Sequence, residues 1–294
     1  MRLLPVIVGI AVGVLLRGLK LLSHQEGQTI FKVVFYVFLP ALIFLSLSTA
    51  DLGSLALYPL AACGFILVGS LVGLLVTWRA GWDPIQAAIV ICGCIAVNTG
   101  FTLPFIDVLY GTDGVARIAA FDAVNTTSTF TLSYYLAARA NPHHHGGSLL
   151  LDRLVKSPAL YAIAVGLLVN VTGLDLPSEM TEPLGRYAAA TGGLFALGVG
   201  VLIDPIGEGF RKAALVAVTR LVSGMAVASA IVLLFDLSAM DRTIILLFGA
   251  APLGFAVVTF AALENLDLHL ATNALSLSLA TGIGACLLVT LTSG

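Results

Sequence analysis

Charge is what this sequence has least of. Its 294 residues include 14 Lys+Arg and 16 Asp+Glu, so 10% are charged, against about 25% in an ordinary soluble domain. That is too little to coat a globular surface, and a soluble fold is excluded. The formal net charge is -2 and no long basic run occurs, which removes nucleic acid as a partner. The four cysteines, Cys63, Cys92, Cys94 and Cys286, all lie in apolar blocks and none forms a CxxC pair. They read as small buried hydrophobes, not as disulfides or a zinc site. No HExxH, GxSxG or Walker loop is present, so no enzyme class is indicated.

What is present is apolar residue in long blocks. Hydrophobic residues make up 59% of the chain and mean hydropathy is +1.05. The blocks are long enough to cross a bilayer core of about 30 Å at 1.5 Å per residue. Spans are expected at 4–21, 28–48, 54–78, 84–110, 114–138, 157–174, 183–203, 210–235, 240–263 and 268–292. The first block lacks a small-x-small cleavage site and is kept as a helix. The longest polar stretch, Arg139 to Lys156, falls mid-chain. The expected organisation is a first five-helix repeat over 1–140, a cytoplasmic linker over 141–156, and a second repeat over 157–294. His143-His144-His145 in that linker reads as flexible polar loop before metal site.

The halves share residues in order. Pro5 and Ile10-Ala11-Val12-Gly13 recur as Pro158 and Ile163-Ala164-Val165-Gly166; Asp51 matches Asp204; Pro104 matches Pro252; Asn125 matches Asn273. Five helices is an odd number, so a duplicated half enters the membrane from the opposite side. The fold expected is an all-α membrane protein of ten helices in a 5+5 inverted repeat, with the site at the midplane between repeats. Arg17, Lys20, Arg79, Arg139, Arg153, Lys156, Arg211 and Lys212 gather on one side; Arg2, Arg117, Arg186 and Arg242 lie on the other, among several acids. The first side is expected to be cytoplasmic and both termini extracytoplasmic, in a cell inner membrane.

Two spans carry helix breakers near their middles. The fourth reads Val97-Asn98-Thr99-Gly100-Phe101-Thr102-Leu103-Pro104 and the ninth Gly249-Ala250-Ala251-Pro252-Leu253-Gly254. Proline removes a backbone donor and glycine eases unwinding. Such breaks persist in hydrocarbon only inside protein or beside a polar cavity. Crossing there, the two helices would aim half-helix N-termini at the midplane, a setting for a carboxylate. The plainer reading is a pair of proline kinks. Asp122, Asn125, Thr126, Thr129 and Ser133 share one face of the fifth span, and Asn273 and Ser276 one face of the tenth. Asp122 is expected to take a proton, bind sodium or pair with a cation. Arg220, deep in the eighth span, would hold a substrate carboxylate or neutralise Asp122. Asp107 reads as a half-helix cap. Glu264 reads as a solvated loop acid or as a member of the ion site. Gly9/Gly13 and Gly69/Gly73 have the spacing of close helix contacts.

The chain resembles the auxin efflux carriers and their bacterial relatives, within the wider bile acid, arsenite and riboflavin transporter superfamily. The resemblance rests on Phe35-Tyr36-Val37-Phe38-Leu39-Pro40-Ala41-Leu42-Ile43-Phe44, on Asn98-Thr99-Gly100-Phe101 with Pro104, and on Ala251-Pro252 through Phe260-Ala261, Glu264, Asp267 and Ala271 to Ser276. It implies crossing broken helices four and nine, a scaffold of helices one, two, six and seven, a homodimer, and transport of mono- or dicarboxylates. Asn98 matches the family's crossover asparagine, although its spacing of six to Pro104 is one residue shorter than the family's usual pattern. The function expected is a secondary carrier of small organic anions working by alternating access. The substrate would be held by Asn98, Thr99, Gly100, Pro104, Pro252, Gly254 and Arg220. The coupling ion, Na+ or H+, would sit at Asp122, Asn125, Thr126 and Glu264. No other cofactor is expected. Sodium-driven uptake of bile-acid-like amphipathic acids, or a non-transporting membrane sensor, are the rival readings.

Overall fold

The computed structural model describes residues 4–141, 158–203 and 209–292. The His143-His144-His145 linker, Asp204, Arg2, Arg153 and Lys156 lie outside them. Regular structure among the described residues is helical, because an apolar chain in hydrocarbon must satisfy its N–H and C=O groups within its own segment.

Helix α1 (Leu4–Gly18) ends in a turn at Lys20, which has φ +59°. Helix α2 (His24–Val33) opens on a reciprocal cap: Ser23 N–H donates to Glu26 Oε2 at 2.7 Å, and Glu26 N–H to Ser23 Oγ at 3.2 Å. It runs through a π turn at Val34–Phe38 into α3 (Leu39–Ser48). Pro40 in the first turn of α3 has no N–H to give, and the widened turn just before it takes up the irregularity. Asp51 caps the short α4 (Leu52–Leu55), accepting from Gly53 N–H, before α5 (Leu57–Ala80).

Helix α6 (Pro84–Ile95) starts from the Asp83 cap with proline in its first turn. Helix α7 (Thr99–Ser128) starts from Asn98 and is kinked at Gly111, whose φ of 57° and ψ of -143° suit glycine alone. A π turn at Thr129–Ser133 leads into α8 (Tyr134–Ala140). There follow α9 (Pro158–Thr172), α10 (Ser178–Ala189), α11 (Thr191–Leu202), α12 (Phe210–Leu234), α13 (Ala239–Ala250), α14 (Ala256–Leu263) and α15 (Leu268–Thr292).

Leu52–Ala80, Phe210–Leu234 and Leu268–Thr292 are each long and apolar enough to cross a bilayer. Helix α5 shows the solvent it is built for. Leu60 is 71% exposed and Trp78 74%, with Leu67, Leu71, Leu74 and Leu75 also outward, while Phe65 and Ala62 are buried. A helix apolar on its exposed side as well as its buried side belongs in lipid. The protein is a membrane-embedded helical protein.

The described residues form two compact units. The first comprises 4–59, 103–123 and 158–203. Here α1 and α11 cross closely at glycines: a Cβ on Gly9 would lie 2.8 Å from Ala196 Cβ, and one on Gly200 2.9 Å from Gly13 Cα. The close approach expected for Gly9/Gly13 is present. On α9, Asn170 Nδ2 donates to Leu47 O and Ala50 O at 2.9 and 2.8 Å, satisfying carbonyls where α3 ends. Asp107 does not cap its own half-helix: it lies inside α7, its Oδ2 3.1 Å from where a Cβ on Gly192 would sit in the first turn of α11.

The second unit comprises 60–102, 124–141 and 209–292. Gly69 and Gly73 of α5 lie against α6, where a Cβ would stand 2.5 Å from Cys94 O and 3.0 Å from Ile91 Cα. At one end, Lys212 Nζ donates to Gln86 Oε1 at 2.8 Å and Gln86 Nε2 to Asp267 Oδ2 at 3.3 Å, with Lys212 over the Trp82 ring.

Candidate functional site

The second unit contains a crossover of two interrupted helices. Helix α6 stops at Ile95, and Ala96 and Val97 are extended before Asn98 starts α7. Helix α13 stops at Ala250, and the chain runs irregularly through Ala251–Phe255 before α14. The two irregular segments meet as a single antiparallel bridge between Val97 and Leu253. Gly254 N–H donates to Ala96 O at 2.8 Å, and Asn98 N–H to Pro252 O at 3.2 Å. Each segment thus supplies the partners that unwinding took from the other.

Two side chains and a glycine fasten this pairing. Asn98 Oδ1 accepts from Phe101 N–H at 3.1 Å, capping the new helix, while its Nδ2 donates to Leu253 O at 3.4 Å. Asn125 Oδ1 accepts from Val97 N–H at 3.1 Å and its Nδ2 donates to Val97 O at 3.0 Å, so one amide grips both sides of one residue's backbone. Gly254 lets the segments approach, since a Cβ there would lie 3.1 Å from Ala96 Cβ. Asn98, Thr99, Asn125, Pro252 and Gly254 are all buried. Gly100 is half-buried.

Pro104 is a correction. It does not break the fourth span. It sits within α7, and the break lies at Ala96–Asn98. Pro104 belongs to the first unit, near Gly192, so the match of Pro104 with Pro252 does not describe the two interruptions. Pro252 lies in the break itself.

Arg220, 1% exposed, projects from α12 onto the end of α13, where its Nη2 donates to Phe248 O at 3.1 Å. Gly224 makes room for it: a Cβ there would run into Arg220 Nη1 and stand 2.5 Å from Gly249 O. The guanidinium Nε is buried without a hydrogen-bond partner. Beside it lies a crevice lined by Ala217, Ala251, Pro252, Ser278 and Thr281 among others, too narrow to hold a water molecule.

Asp122, Asn125 and Thr126 fall within about one turn of α7, and Glu264 directly follows α14. Asp122 falls in the first unit and is half-buried; Asn125 and the half-buried Thr126 fall in the second. Thr129 and Ser133 lie in the π turn, where Ser133 O accepts from the Cys92 thiol at 3.1 Å and Ser133 Oγ is buried without a partner. Glu264 is a second correction: it is no solvated loop acid. It is 4% exposed, accepting from Tyr134 Oη at 2.6 Å and from Asn141 Nδ2 at 3.3 Å. In α15, Asn273 and Ser276 are both buried, and Asn273 Nδ2 lies 3.1 Å from His269 Nδ1. Sequence reasoning missed Tyr134 and the clamping role of Asn125, since no local pattern announces a contact across 28 or 130 residues.

A family model described as membrane transport protein matches residues 1–290. The chain belongs to this transport protein family, in agreement with its resemblance to the auxin efflux carriers. It is 25% identical over 283 residues to an uncharacterized transporter of Methanothermobacter thermautotrophicus, covering 94% of this chain and 92% of that one.

Proposed function

We propose that this membrane transport protein is a secondary carrier of small organic anions, mono- or dicarboxylates, working by alternating access. The observation that supports the reading most is the crossover at Val97 and Leu253. Two interrupted helices crossing inside the fold place the N-terminal turns of α7 and α14 beside one another's breaks. The partial positive charge of such ends favours a carboxylate. No side chain caps the first turn of α14; its Val257 and Val258 N–H groups donate to Gly254 O and Phe255 O at 3.1 and 3.2 Å. Asn98, Thr99, Gly100, Pro252 and Gly254 form the surroundings of the bound anion in this reading.

The finer architecture is part of the same proposal: ten spans in a 5+5 inverted repeat, a cytoplasmic linker at 141–156, both termini outside a cell inner membrane, and a homodimer. Coupling by H+ or Na+ is assigned to the polar positions Asp122, Asn125, Thr126 and Glu264. The experiment is uptake of a panel of radiolabelled carboxylates into proteoliposomes under imposed proton or sodium gradients. Accumulation of at least one carboxylate, lost in Asn98→Ala, is the expected result. Equal uptake by wild type, Asn98→Ala and empty liposomes would sink the reading.

A further inference from the structure

Arg220 bears the buried charge that the carrier reading leaves without a task. It lies mid-way along α12, where an ionised side chain is expensive and is kept for a purpose. Among the described residues its guanidinium meets no carboxylate. Among the described residues its side-chain hydrogen-bond partner is the main-chain oxygen of Phe248, in the last turn of α13.

That location has a definite electrostatic character. The last carbonyls of a helix lack intrahelical donors and carry partial negative charge. At the end of α13 those carbonyls are buried, because Phe248, Gly249, Ala250 and Ala251 are all inaccessible. Interrupted helices in carriers use such C-terminal ends to coordinate a mobile coupling cation. Here the place is filled by a side chain of the protein. The neighbourhood is shaped to admit it: α12 and α13 cross at Gly224 and Gly249, and a Cβ on Gly224 would run into the guanidinium.

The other arm of the crossover is treated differently. The end of α6 is closed by neutral groups, with Ala96 N–H donating to Cys92 O and the Asn125 amide holding Val97 N–H and C=O. A fixed positive charge is thus hydrogen-bonded to the α13 arm, and a neutral clamp holds the α6 arm.

We propose that Arg220 is a built-in counter-cation of the crossover. Its guanidinium stands where a sodium-coupled carrier would bind its ion, so the α13 end is charge-balanced without sodium. This replaces the expected role of Arg220 as a direct substrate anchor and makes it a coupling-determining, positioning residue. The inference rests on the carrier reading only for its consequence, that a sodium gradient does not act through the α13 end.

The test needs no substrate, so its failure is distinct from failure of the carrier reading. Melting midpoints of purified protein in detergent would be compared in sodium chloride and choline chloride at equal ionic strength, for wild type, Arg220→Lys and Arg220→Gln. Wild type and Arg220→Lys are expected to show no sodium-specific shift. Arg220→Gln is expected to melt lower than both and to regain about 2 °C or more in sodium but not in choline. A sodium-specific rise in wild type would overturn the proposal. So would an Arg220→Gln protein that melts like Arg220→Lys and ignores sodium, because the charge would then be without effect. The wild-type and Arg220→Lys arms decide the matter even if Arg220→Gln does not fold: both insensitive to sodium supports the proposal, and either stabilised by it overturns the proposal.

Discussion

At the scale of single residues, the crossover is held by side chains that bond to main chain. Asn125 is the clearest. Both polar atoms of its amide are spent on Val97, so its replacement leaves a buried N–H and C=O in a setting that offers no water. Asn125→Leu is expected to destabilise the protein by about 2–3 kcal/mol, the cost of orphaning buried groups, read as a lowered melting midpoint in detergent. Asn125→Asp retains the acceptor for Val97 N–H but loses the donor to Val97 O, and is expected to fall below wild type as well. Gly254→Ala places a methyl 3.1 Å from Ala96 Cβ and 3.2 Å from Ala96 O. The neighbouring segment must yield, at a cost of about 1–3 kcal/mol, and carboxylate uptake is expected to fall with it. A Gly254→Ala protein with wild-type stability and uptake would show that the two segments do not need this approach. Asn98 was legible in the sequence through its match to the family's crossover asparagine. Its second bond, to Leu253 O, was not, because Leu253 is 155 residues away.

At the scale of elements, the helices follow the apolar blocks closely, since block length and helix satisfaction are both set by the bilayer. The exact site of the break did not follow. Proline is the loudest helix breaker in a sequence, and Pro104 drew the expectation toward itself. The chain instead unwinds six residues earlier, where Ala96, Val97 and Asn98 find partners in Pro252, Leu253 and Gly254. Tertiary pairing outweighed local propensity there. Glycine spacing was a better guide, because close helix contact needs only the absence of a side chain. Along α11 it yields a matched pair of tests. Gly200→Ala drives a methyl into Ile10 O and to 2.9 Å from Gly13 Cα, and is expected to cost about 1–3 kcal/mol. Gly193→Ala meets nothing within 4 Å and is expected to be neutral or to gain about 0.5–1 kcal/mol in helix propensity. Melting curves of the two variants side by side check the crossing of α1 and α11. At the end of α14, Tyr134→Phe removes the 2.6 Å bond to the buried Glu264, with an expected loss of about 1–3 kcal/mol; an unchanged midpoint would mean that Glu264 is held by other groups.

At the scale of the molecule, scarce charge and long apolar blocks sufficed for a helical membrane protein, and family membership adds that it is a transport protein. The grouping into units was less open to a reader of the sequence. One unit gathers α1, α3, α9 and α11 as the resemblance implied, but it also takes 103–123, the end of the fourth span and the start of the fifth. No composition shift marks those boundaries, because both sides are equally apolar. The crossover lies wholly in the second unit, so its residues can be tested as one body. The most direct test of the central claim records transient currents from wild-type and Asn98→Ala proteoliposomes on a solid-supported membrane, during concentration jumps of small carboxylates. The account expects wild-type currents with at least one carboxylate, reduced about tenfold or more in Asn98→Ala, the order of one lost charge-assisted hydrogen bond. Currents of equal size and equal half-saturation in the two proteins would contradict it.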